Sequence, residues 1–250
     1  MRDLATIATA LRRAHGIVVL TGAGVSVESG LRPFRGTDGW WRGHDPTRLA
    51  TPEAFAADPA LVSEWYDARR LTALAAEPNA GHRAIAALER LVVDAGGRFA
   101  LLTQNVDGLH RRAGSERLVE LHGSITVWRD HRSGRKVMPE PVPFTSHPQS
   151  GPDNGWLRPD VVWFGEMLPS EAWSAAEAAL ELVRPVPGHR HERGRLPAAG
   201  LVGRAAAVGA VTVEINIEPT PAPVEYRLIG PSGKVLPSLL EEAFGIEPTA

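Results

Sequence analysis

A short apolar segment that ends in a glycine-rich turn limits the possible folds of this chain more than any other feature. Residues 16–20 (GIVVL) carry no polar side chain, and they run directly into residues 21–26 (TGAGVS). Apolar residues at helical spacing predict an amphipathic helix over 3–14, in front of this segment. A buried parallel strand followed by such a turn is the usual opening of a nucleotide-binding α/β sheet.

The same alternation continues along the chain. The sequence predicts helices over 84–93 and near 171–183, and strands over 99–103, 161–163 and 211–217. This order predicts an α/β fold, a Rossmann-like doubly wound parallel sheet with helices on both faces. Residues 129–159 are rich in Pro, Gly, Ser, His and Arg and lack periodicity. We therefore expect a single domain over 1–250 with a small irregular inserted lobe over 127–159.

Charge and composition exclude several classes of protein. The 27 basic and 29 acidic residues nearly balance, so a nucleic-acid partner bound through a basic surface is not indicated. The sequence contains no cysteine, which excludes disulfides, thiolate catalysis and cysteine-ligated zinc. The chain shows neither the apolar run of a signal peptide nor the ~18 apolar residues of a membrane span. We expect a cytoplasmic monomer without a membrane partner.

Four strings in the sequence resemble the signatures of the sirtuins. They are residues 22–30 (GAGVSVESG) with 34–36 (FRG), residues 103–110 (TQNVDGLH), residues 121–124 (LHGS) and residues 163–166 (WFGE). The first turn alone is a weak signal, because Val27 replaces the last glycine of the dinucleotide fingerprint. All four strings stand in family order at family-like spacing. The resemblance covers about residues 10–170 and 197–240 and implies an NAD-dependent protein lysine deacylase.

The resemblance also implies a role for individual residues. Gln104 would contact the nicotinamide ribose, while Asn105 and Asp107 would hold the carboxamide. The implied NAD-binding residues are Gly22, Ala23, Gly24, Phe34, Arg35, Gln104, Asn105, Asp107 and Asn216. Val162, Trp163 and Phe164 would bind the substrate, an acylated lysine side chain of a protein.

His122 would be the general base. An imidazole with a pKa near ~6.5 can take a proton from a ribose hydroxyl at neutral pH. The products would be nicotinamide, an O-acyl-ADP-ribose and the free lysine. A lone histidine in a His-Gly turn is more often structural, but the neighbouring string 104–107 (QNVD) favours the catalytic interpretation.

A Tyr-x-x-Arg pair carries information about the acyl group. Tyr66 and Arg69 are three residues apart, so on a helix they share a face. The sirtuins that remove succinyl, malonyl or glutaryl groups carry such a pair. A phenol and a guanidinium can bind a distal carboxylate through charge-assisted hydrogen bonds. The pair favours acidic acyl groups; the alternative is a surface arginine beside a packed tyrosine.

The first departure from the family concerns zinc. Most sirtuins hold a structural zinc with four cysteines after the His-Gly turn, and residues 127–157 contain none. Asp130, His131, His147 and Asp153 could ligate a metal, but they lack paired close spacings. We therefore predict a metal-free lobe. Without the folding free energy of a bound zinc, it should be the softest part of the molecule.

The second departure lies at residues 184–196 (RPVPGHRHERGRL), where the family has an apolar strand leading into Gly-Thr-Ser at the NAD phosphates and ribose. Prolines and charges at this density do not form a buried central strand. A one-base shift of the reading frame turns residues 189–192 into a permitted Thr-Gly-Thr-Ser. A local frameshift pair and a divergent loop are the two explanations, and the coding DNA decides between them. Both predict weaker NAD binding and lower stability.

Two other functions remain open from the sequence. An ADP-ribosyltransferase would use the same NAD-cleaving site but transfer the ribosyl group to a protein side chain. A non-catalytic module would bind acyl-lysine or nucleotide without turnover, because the altered segment 184–196 removes a cofactor contact. Release of nicotinamide and the mass of a modified target protein distinguish these functions from deacylation.

Overall fold

The computed structural model describes residues 2–32, 42–183 and 200–246. In these ranges, no helix combines the length and the apolar content that crossing a lipid bilayer requires. Phe34, Arg35 and the segment 184–196 lie outside the described residues. The hypotheses on that segment therefore stay predictions.

A parallel sheet forms the centre of the molecule. It contains β1 (Gly16–Thr21), β2 (Arg98–Thr103) and β3 (Leu118–Glu120), in the order β1-β2-β3. Thr21 is in register with Thr103, and Thr103 with Glu120. The residues that follow these three strands are therefore brought to one edge of the sheet, where ligands of such folds bind. The predicted α/β class with a parallel sheet is confirmed.

Helices cover both faces of this sheet, and a short helix, α6 (Leu109–Arg112), follows the polar segment after β2. On one face, α5 (Ala80–Asp94) and α9 (Ser232–Phe244) share a hydrophobic cluster with β1 and β2, which includes Ile85, Leu88, Leu101 and Leu240. On the other face, α7 (Ser170–Leu180) and α8 (Gly200–Ala207) pack with the alternate side chains of the strands, such as Leu102. Because strands β1 and β2 are covered on both sides, they read as continuous apolar runs in the sequence.

The described residues also form a second pair of parallel strands. It contains β7 (Val213–Asn216) and β8 (Tyr226–Ile229). These strands pack against α1 (Arg2–Arg13) and α9 in a cluster that includes Ile7, Ile215 and Leu228. Within the described ranges, β1 is the end strand of its sheet and β7 pairs only with β8.

An antiparallel sheet carries the rest of the chain. It contains β4 (Gly123–Asp130), β5 (Lys136–Val137) and β6 (Leu157–Val161), in the order β5-β4-β6. The prediction of a parallel-sheet strand over 161–163 was wrong: the strand ends at Val161 and pairs antiparallel with β4. Periodicity could not show this, because a short apolar run does not reveal its partner strand.

Three helices close the apolar side of this sheet. They are α2 (Pro46–Leu49), α3 (Pro52–Ala57) and α4 (Pro59–Ala75). Each begins with proline in its first turn, and the side chains of Asp45, Thr51 and Asp58 cap their N-termini. The shared hydrophobic cluster contains Phe55, Trp65, Tyr66, Trp128, Phe144 and Trp163. The division into a single domain with a lobe over 127–159 stays a prediction.

Candidate active site

Backbone hydrogen bonds continue the parallel sheet just past the ends of its strands. The Gln104 N–H donates to the Thr21 carbonyl at 3.0 Å, and the Leu121 N–H donates to the Thr103 carbonyl at 2.8 Å. The turn after β1, the polar segment after β2 and the imidazole after β3 therefore lie at one edge. This is the juxtaposition that the sequence predicted.

The glycine-rich turn begins a 3-10 helix over Ala23–Ser29. Gly22 is extended in front of it, with φ −135°. Ala23 and Gly24 are exposed at the end of β1, and a Cβ added to Gly24 would meet no described atom within 4 Å. Backbone N–H groups at the start of a helix suit an anionic group such as a pyrophosphate. The position is therefore open to a nucleotide.

Asn105 lies behind this turn and is almost fully buried. Its Nδ2 donates to the Gly22 carbonyl at 3.1 Å and to the Ser26 Oγ at 3.1 Å. Both amide hydrogens are used by these two bonds. The Oδ1 atom is left as the acceptor for a ligand, and the N–H₂ group of a carboxamide is a suitable donor.

A chain of directed hydrogen bonds supports Asn105. The Asn79 N–H donates to the His82 Nδ1 at 3.3 Å, so the His82 proton is on Nε2, which faces the Ser26 Oγ at 3.4 Å. The Ser26 hydroxyl donates in turn to the Asp107 Oδ2 at 2.8 Å. The other oxygen, Asp107 Oδ1, accepts the Leu109 N–H at 2.9 Å. The Asp107 carboxylate is therefore held in place by the protein.

A second buried histidine lies next to this chain. The Thr21 hydroxyl donates to Thr103, so the His110 Nε2, 2.9 Å from the Thr21 Oγ1, is the protonated nitrogen. The His82 and His110 rings are in edge contact at 4.7 Å. The pKa of each imidazole is lowered to about 4, mainly by burial; Arg83 adds to the shift of His82, and the His82 ring adds to that of His110 while Asp107 opposes it. Both rings are therefore neutral at pH 7 and act as fixed hydrogen-bonding groups.

His122 is oriented by one hydrogen bond. Its Nδ1 lies 3.0 Å from the Gln104 carbonyl oxygen, which can only accept, so the proton is on Nδ1. Nε2 is left with a free lone pair. Burial lowers the pKa of His122 below its ordinary value, and the hydrogen bond to Gln104 opposes this shift. The ring is therefore a neutral base at pH 7.

Gly123 allows the chain to turn after His122. Its φ is +78°, in the left-handed region, and an added Cβ would lie 2.0 Å from the Asp160 carbonyl oxygen. Both facts require glycine at this position. Strand β4 starts here and runs beside β6, so His122 stands between the parallel and the antiparallel sheets.

The segment after β6 runs beside the imidazole. The Val162 N–H donates to the His122 carbonyl at 3.0 Å, and the Phe164 N–H donates to the Ala50 carbonyl at 2.9 Å. Trp163 is buried, whereas Phe164 is exposed. Of the three predicted substrate-binding residues, Val162 is therefore in direct contact with the predicted base.

The polar side chains of helix α4 lie in two different environments. Tyr66 is fully buried, and the Arg69 guanidinium lies 5.6 Å from the centre of the Trp65 ring. Arg70, one residue further on, donates to Asp67 at 2.9 and 2.5 Å inside the hydrophobic cluster. Arg70 is therefore structural, whereas Arg69 lies beside the Trp65 ring on the same helix.

The comparison with known proteins decides the family. The profile described as "Sir2 family" matches residues 22–184. This chain belongs to the Sir2 family. The "NAD-dependent protein deacylase 2" of Pyrobaculum aerophilum is 47% identical over 241 residues, which cover 94% of each chain. The "NAD-dependent protein deacylase 1" of Pseudomonas aeruginosa is 44% identical over 252 residues, which cover 94% of this chain and 96% of that protein.

Solved sirtuin structures share the fold. One described as the crystal structure of a Sir2 homolog–NAD complex superposes with a TM-score of 0.83 at 37% identity. The match covers 95% of this chain and 93% of that chain. The sirtuin resemblance and the use of NAD are thereby confirmed. The roles of the individual site residues stay predictions.

This sequence has no cysteine, so it lacks the four zinc ligands of most sirtuins. Asp130 is fully buried at the end of β4. Its Oδ1 accepts the N–H groups of Arg132 at 2.9 Å and Ser133 at 3.2 Å. Its Oδ2 accepts those of Asp153 at 3.1 Å and Gly155 at 2.9 Å. One carboxylate thus joins the two ends of the lobe through backbone hydrogen bonds.

The two histidines of the lobe also have hydrogen-bond partners within the protein. The His131 Nδ1 accepts the Trp156 N–H at 2.7 Å, and the His147 Nε2 lies 3.2 Å from the Asp67 Oδ2. Among the described residues, no three His, Cys, Asp or Glu side chains are grouped so that they could hold a metal. The donors present do not fit a zinc ion, and the metal-free lobe stays a prediction.

The predicted NAD-binding residue Asn216 ends β7, in the second pair of parallel strands. Its Oδ1 accepts the Ile217 N–H at 2.9 Å, and its carbonyl accepts the Gly230 N–H at 2.9 Å. The side-chain oxygen therefore shapes the turn after β7, and a role in NAD binding stays a prediction.

Sequence reasoning missed several polar residues of this sirtuin site. Ser26 and His82 support Asn105 and Asp107, and Arg158 and Glu166 surround Trp163. Ser26 and Glu166 stand inside the family-like strings, which was a usable signal. His82 gave a weaker one: it forms a capping box with Asn79 at the start of α5.

Proposed function

We propose that this sirtuin removes acidic acyl groups, succinyl or malonyl, from protein lysines, with acetyl as a poorer substrate. The general activity, NAD-dependent protein deacylation, is that of the family to which the chain belongs and the one named for its relatives. Nicotinamide and an O-acyl-ADP-ribose would be the products. The preference for acidic groups is supported by one observation, the pairing of Tyr66 and Arg69 on α4.

The environment of the pair suits an anion. Burial raises the pKa of the Tyr66 phenol, while the indole of Trp163 and the charge of Arg69 oppose the rise, so the phenol keeps its proton at neutral pH. Burial lowers the pKa of Arg69 from its ordinary value, and the nearby Tyr66 opposes this shift. An arginine remains charged at neutral pH even so. A hydroxyl donor and a guanidinium in a partly buried site complement a carboxylate, and an acetyl group has none to offer.

The residues at the sheet edge suit the reaction itself. NAD supplies the activated ribose when it is bound. The free Asn105 Oδ1 would accept a carboxamide N–H and so orient the nicotinamide ring. The His122 Nε2 would take the proton of a ribose hydroxyl, because its other nitrogen is committed to Gln104.

The test compares two peptides that differ only in the acyl group on one lysine. Wild-type enzyme with NAD should release nicotinamide with a higher kcat/KM for the succinyl peptide than for the acetyl peptide. Arg69→Met should lower kcat/KM for the succinyl peptide at least about tenfold more than for the acetyl peptide, since a hydrogen-bonded charge pair is lost. Arg69→Lys, the control, keeps the charge and should retain part of the preference. Equal losses on both peptides contradict the proposal.

Mass spectrometry of the peptide separates the remaining functions. Loss of the acyl mass together with nicotinamide release supports deacylation. A gain of the ADP-ribose mass indicates transfer to the target instead. Absence of nicotinamide release at saturating NAD indicates a binding module. His122→Ala should abolish the release seen with wild type.

A further inference from the structure

The indole of Trp163 is held from two sides. Its backbone N–H donates to the Glu166 Oε2 at 2.9 Å. The Arg158 guanidinium lies 3.3 Å from the centre of its ring and donates to Glu166 at 2.6 and 3.0 Å. A cation over an indole face within a short ion pair fixes the plane of the ring. The direction of the Trp163 Nε1–H group is therefore set by the protein.

Two buried hydrogen-bond donors lie close together at this point. The Trp163 and Tyr66 rings are stacked with their centres 6.3 Å apart. In the part of the chain that the structure describes, neither the Trp163 Nε1 nor the Tyr66 hydroxyl makes a hydrogen bond of good geometry, although the indole N–H is close enough to the phenol oxygen to oppose the rise in the pKa of Tyr66. Trp128, in the same hydrophobic cluster, differs because its Nε1–H donates to the Ile125 carbonyl at 3.2 Å.

The two groups cannot fully satisfy each other, even if the Trp163 N–H donates to the phenol oxygen. An indole nitrogen only donates, while a phenol both donates and accepts. If the Trp163 N–H turned to the Tyr66 oxygen, the phenol hydrogen would still need an acceptor. The Trp163 N–H and the Tyr66 O–H are two donors, and the Tyr66 oxygen is the one acceptor between them. At least one hydrogen is therefore left for a ligand, because a buried donor without an acceptor lowers the stability of the protein. A carboxylate, which only accepts, supplies what both groups lack.

We propose that Trp163 determines specificity together with Tyr66, the two buried donors converging on the distal carboxylate of an acidic acyl-lysine. The inference rests on the proposed function, because it assumes that the acyl group enters beside Tyr66 and Arg69. It assigns to the Trp163 side chain a chemical role beyond lining the substrate segment. The partners Arg158 and Glu166 hold the indole in place and act on the substrate only through it.

The experiment measures binding, so it does not depend on turnover. Fluorescence anisotropy gives the Kd of labelled succinyl-lysine and acetyl-lysine peptides of one sequence. Trp163→Phe should reduce the succinyl-over-acetyl preference about tenfold, the loss expected for a hydrogen bond to a charged group. Trp128→Phe is the matched control: it removes an equally buried indole and should change both affinities by the same factor.

A second variant protects the test against a folding defect. Replacement of Trp163 by benzothienylalanine keeps the bicyclic ring and removes only the N–H, so it should reduce the preference as Trp163→Phe does. The double variant Tyr66→Phe, Trp163→Phe should lose less than the product of the two single losses, because both groups act on one carboxylate. Independent, multiplicative losses overturn the shared-acceptor geometry.

The Arg69→Met variant distinguishes a failure of the Trp163 inference from a failure of the proposed function. If Arg69→Met removes the preference and both Trp163 variants leave it intact, the Trp163 inference is wrong and the proposed function stands. If wild type binds both peptides equally, both are wrong. Loss of preference in the Trp163 variants but not in Trp128→Phe supports both.

Discussion

The Nδ1 atom of His122 lies 3.0 Å from the backbone carbonyl oxygen of Gln104, the residue before Asn105. This hydrogen bond fixes the imidazole to the segment that carries Asn105 and Asp107, and with the proton on Nδ1 the lone pair of Nε2 is available. One hydrogen bond sets both the tautomer and the direction of the base. The side chain that would take the proton is thus hydrogen-bonded to the segment that would hold the nicotinamide.

The pH dependence of the reaction should report this arrangement. The base acts in its neutral form, so kcat/KM should fall as pH decreases through the pKa of His122. Because burial lowers that pKa, the midpoint of the acid limb should lie below 6.5, the ordinary value of histidine. His122→Ala should lower kcat at least about 100-fold, the usual contribution of a general base. An acid limb centred above the ordinary value contradicts the buried geometry.

Asn105 offers a second prediction. Asn105→Asp keeps the shape of the side chain but loses the two amide hydrogens that Gly22 and Ser26 accept. It also places a carboxylate beside Asp107. We expect this variant to weaken inhibition by nicotinamide about tenfold or more, since the carboxamide acceptor is no longer held in place. An unchanged inhibition constant contradicts the assignment of the Oδ1 atom to the carboxamide.

The stability of the lobe should depend on the Asp130 carboxylate and not on a metal ion. Burial raises the pKa of Asp130, but the four backbone N–H donors outweigh it and hold the pKa at about 2. The carboxylate therefore contributes to stability above about pH 4, the pKa of an unfolded aspartate, and the contribution is lost as pH falls toward 2. Asp130→Asn should lower the Tm at neutral pH, because an amide cannot accept all four bonds.

Two controls sharpen this prediction. Asp153→Asn alters an exposed carboxylate of the same lobe and should change the Tm little. A chelator should leave the Tm of the wild type unchanged. A chelator-induced decrease in Tm contradicts the metal-free lobe.

The paired buried histidines predict a second pH effect, on stability. The folded pKa values of His82 and His110 are about 4, below the ordinary 6.5, so the unfolded chain binds more protons between these limits. Their contribution is complete above about pH 6.5 and decreases as pH falls toward 4. The free energy of unfolding in urea should be lower at about pH 5 than at about pH 7.5, by roughly 2 kcal/mol for each histidine.

A substitution separates these histidines from the carboxylates of the chain. His110→Gln keeps a hydrogen-bonding side chain that does not titrate. It should reduce the dependence of the free energy of unfolding on pH in this interval. An identical pH dependence in wild type and variant contradicts the pKa assignment.

The sequence by itself determined the parts of this protein that depend on local chemistry. The apolar runs at 16–20 and 99–103 predicted strands, and glycine and polar residues after them predicted a ligand edge. These predictions succeeded because a buried parallel strand must be apolar on both faces. The spacing of Tyr66 and Arg69 likewise fixed their common helix face, since the helical period is a local property.

Only the tertiary structure decided which groups meet and which proton each one carries. Antiparallel pairing with β4 took residues 157–161 out of the central sheet, a choice that no local pattern encodes. The protonated nitrogens of His82 and His122 depend on donors and acceptors distant in the chain, Asn79, Ser26 and Gln104. Hydrogen bonds of this kind have no sequence period. They exist because folding buries polar groups together and each buried group requires a partner.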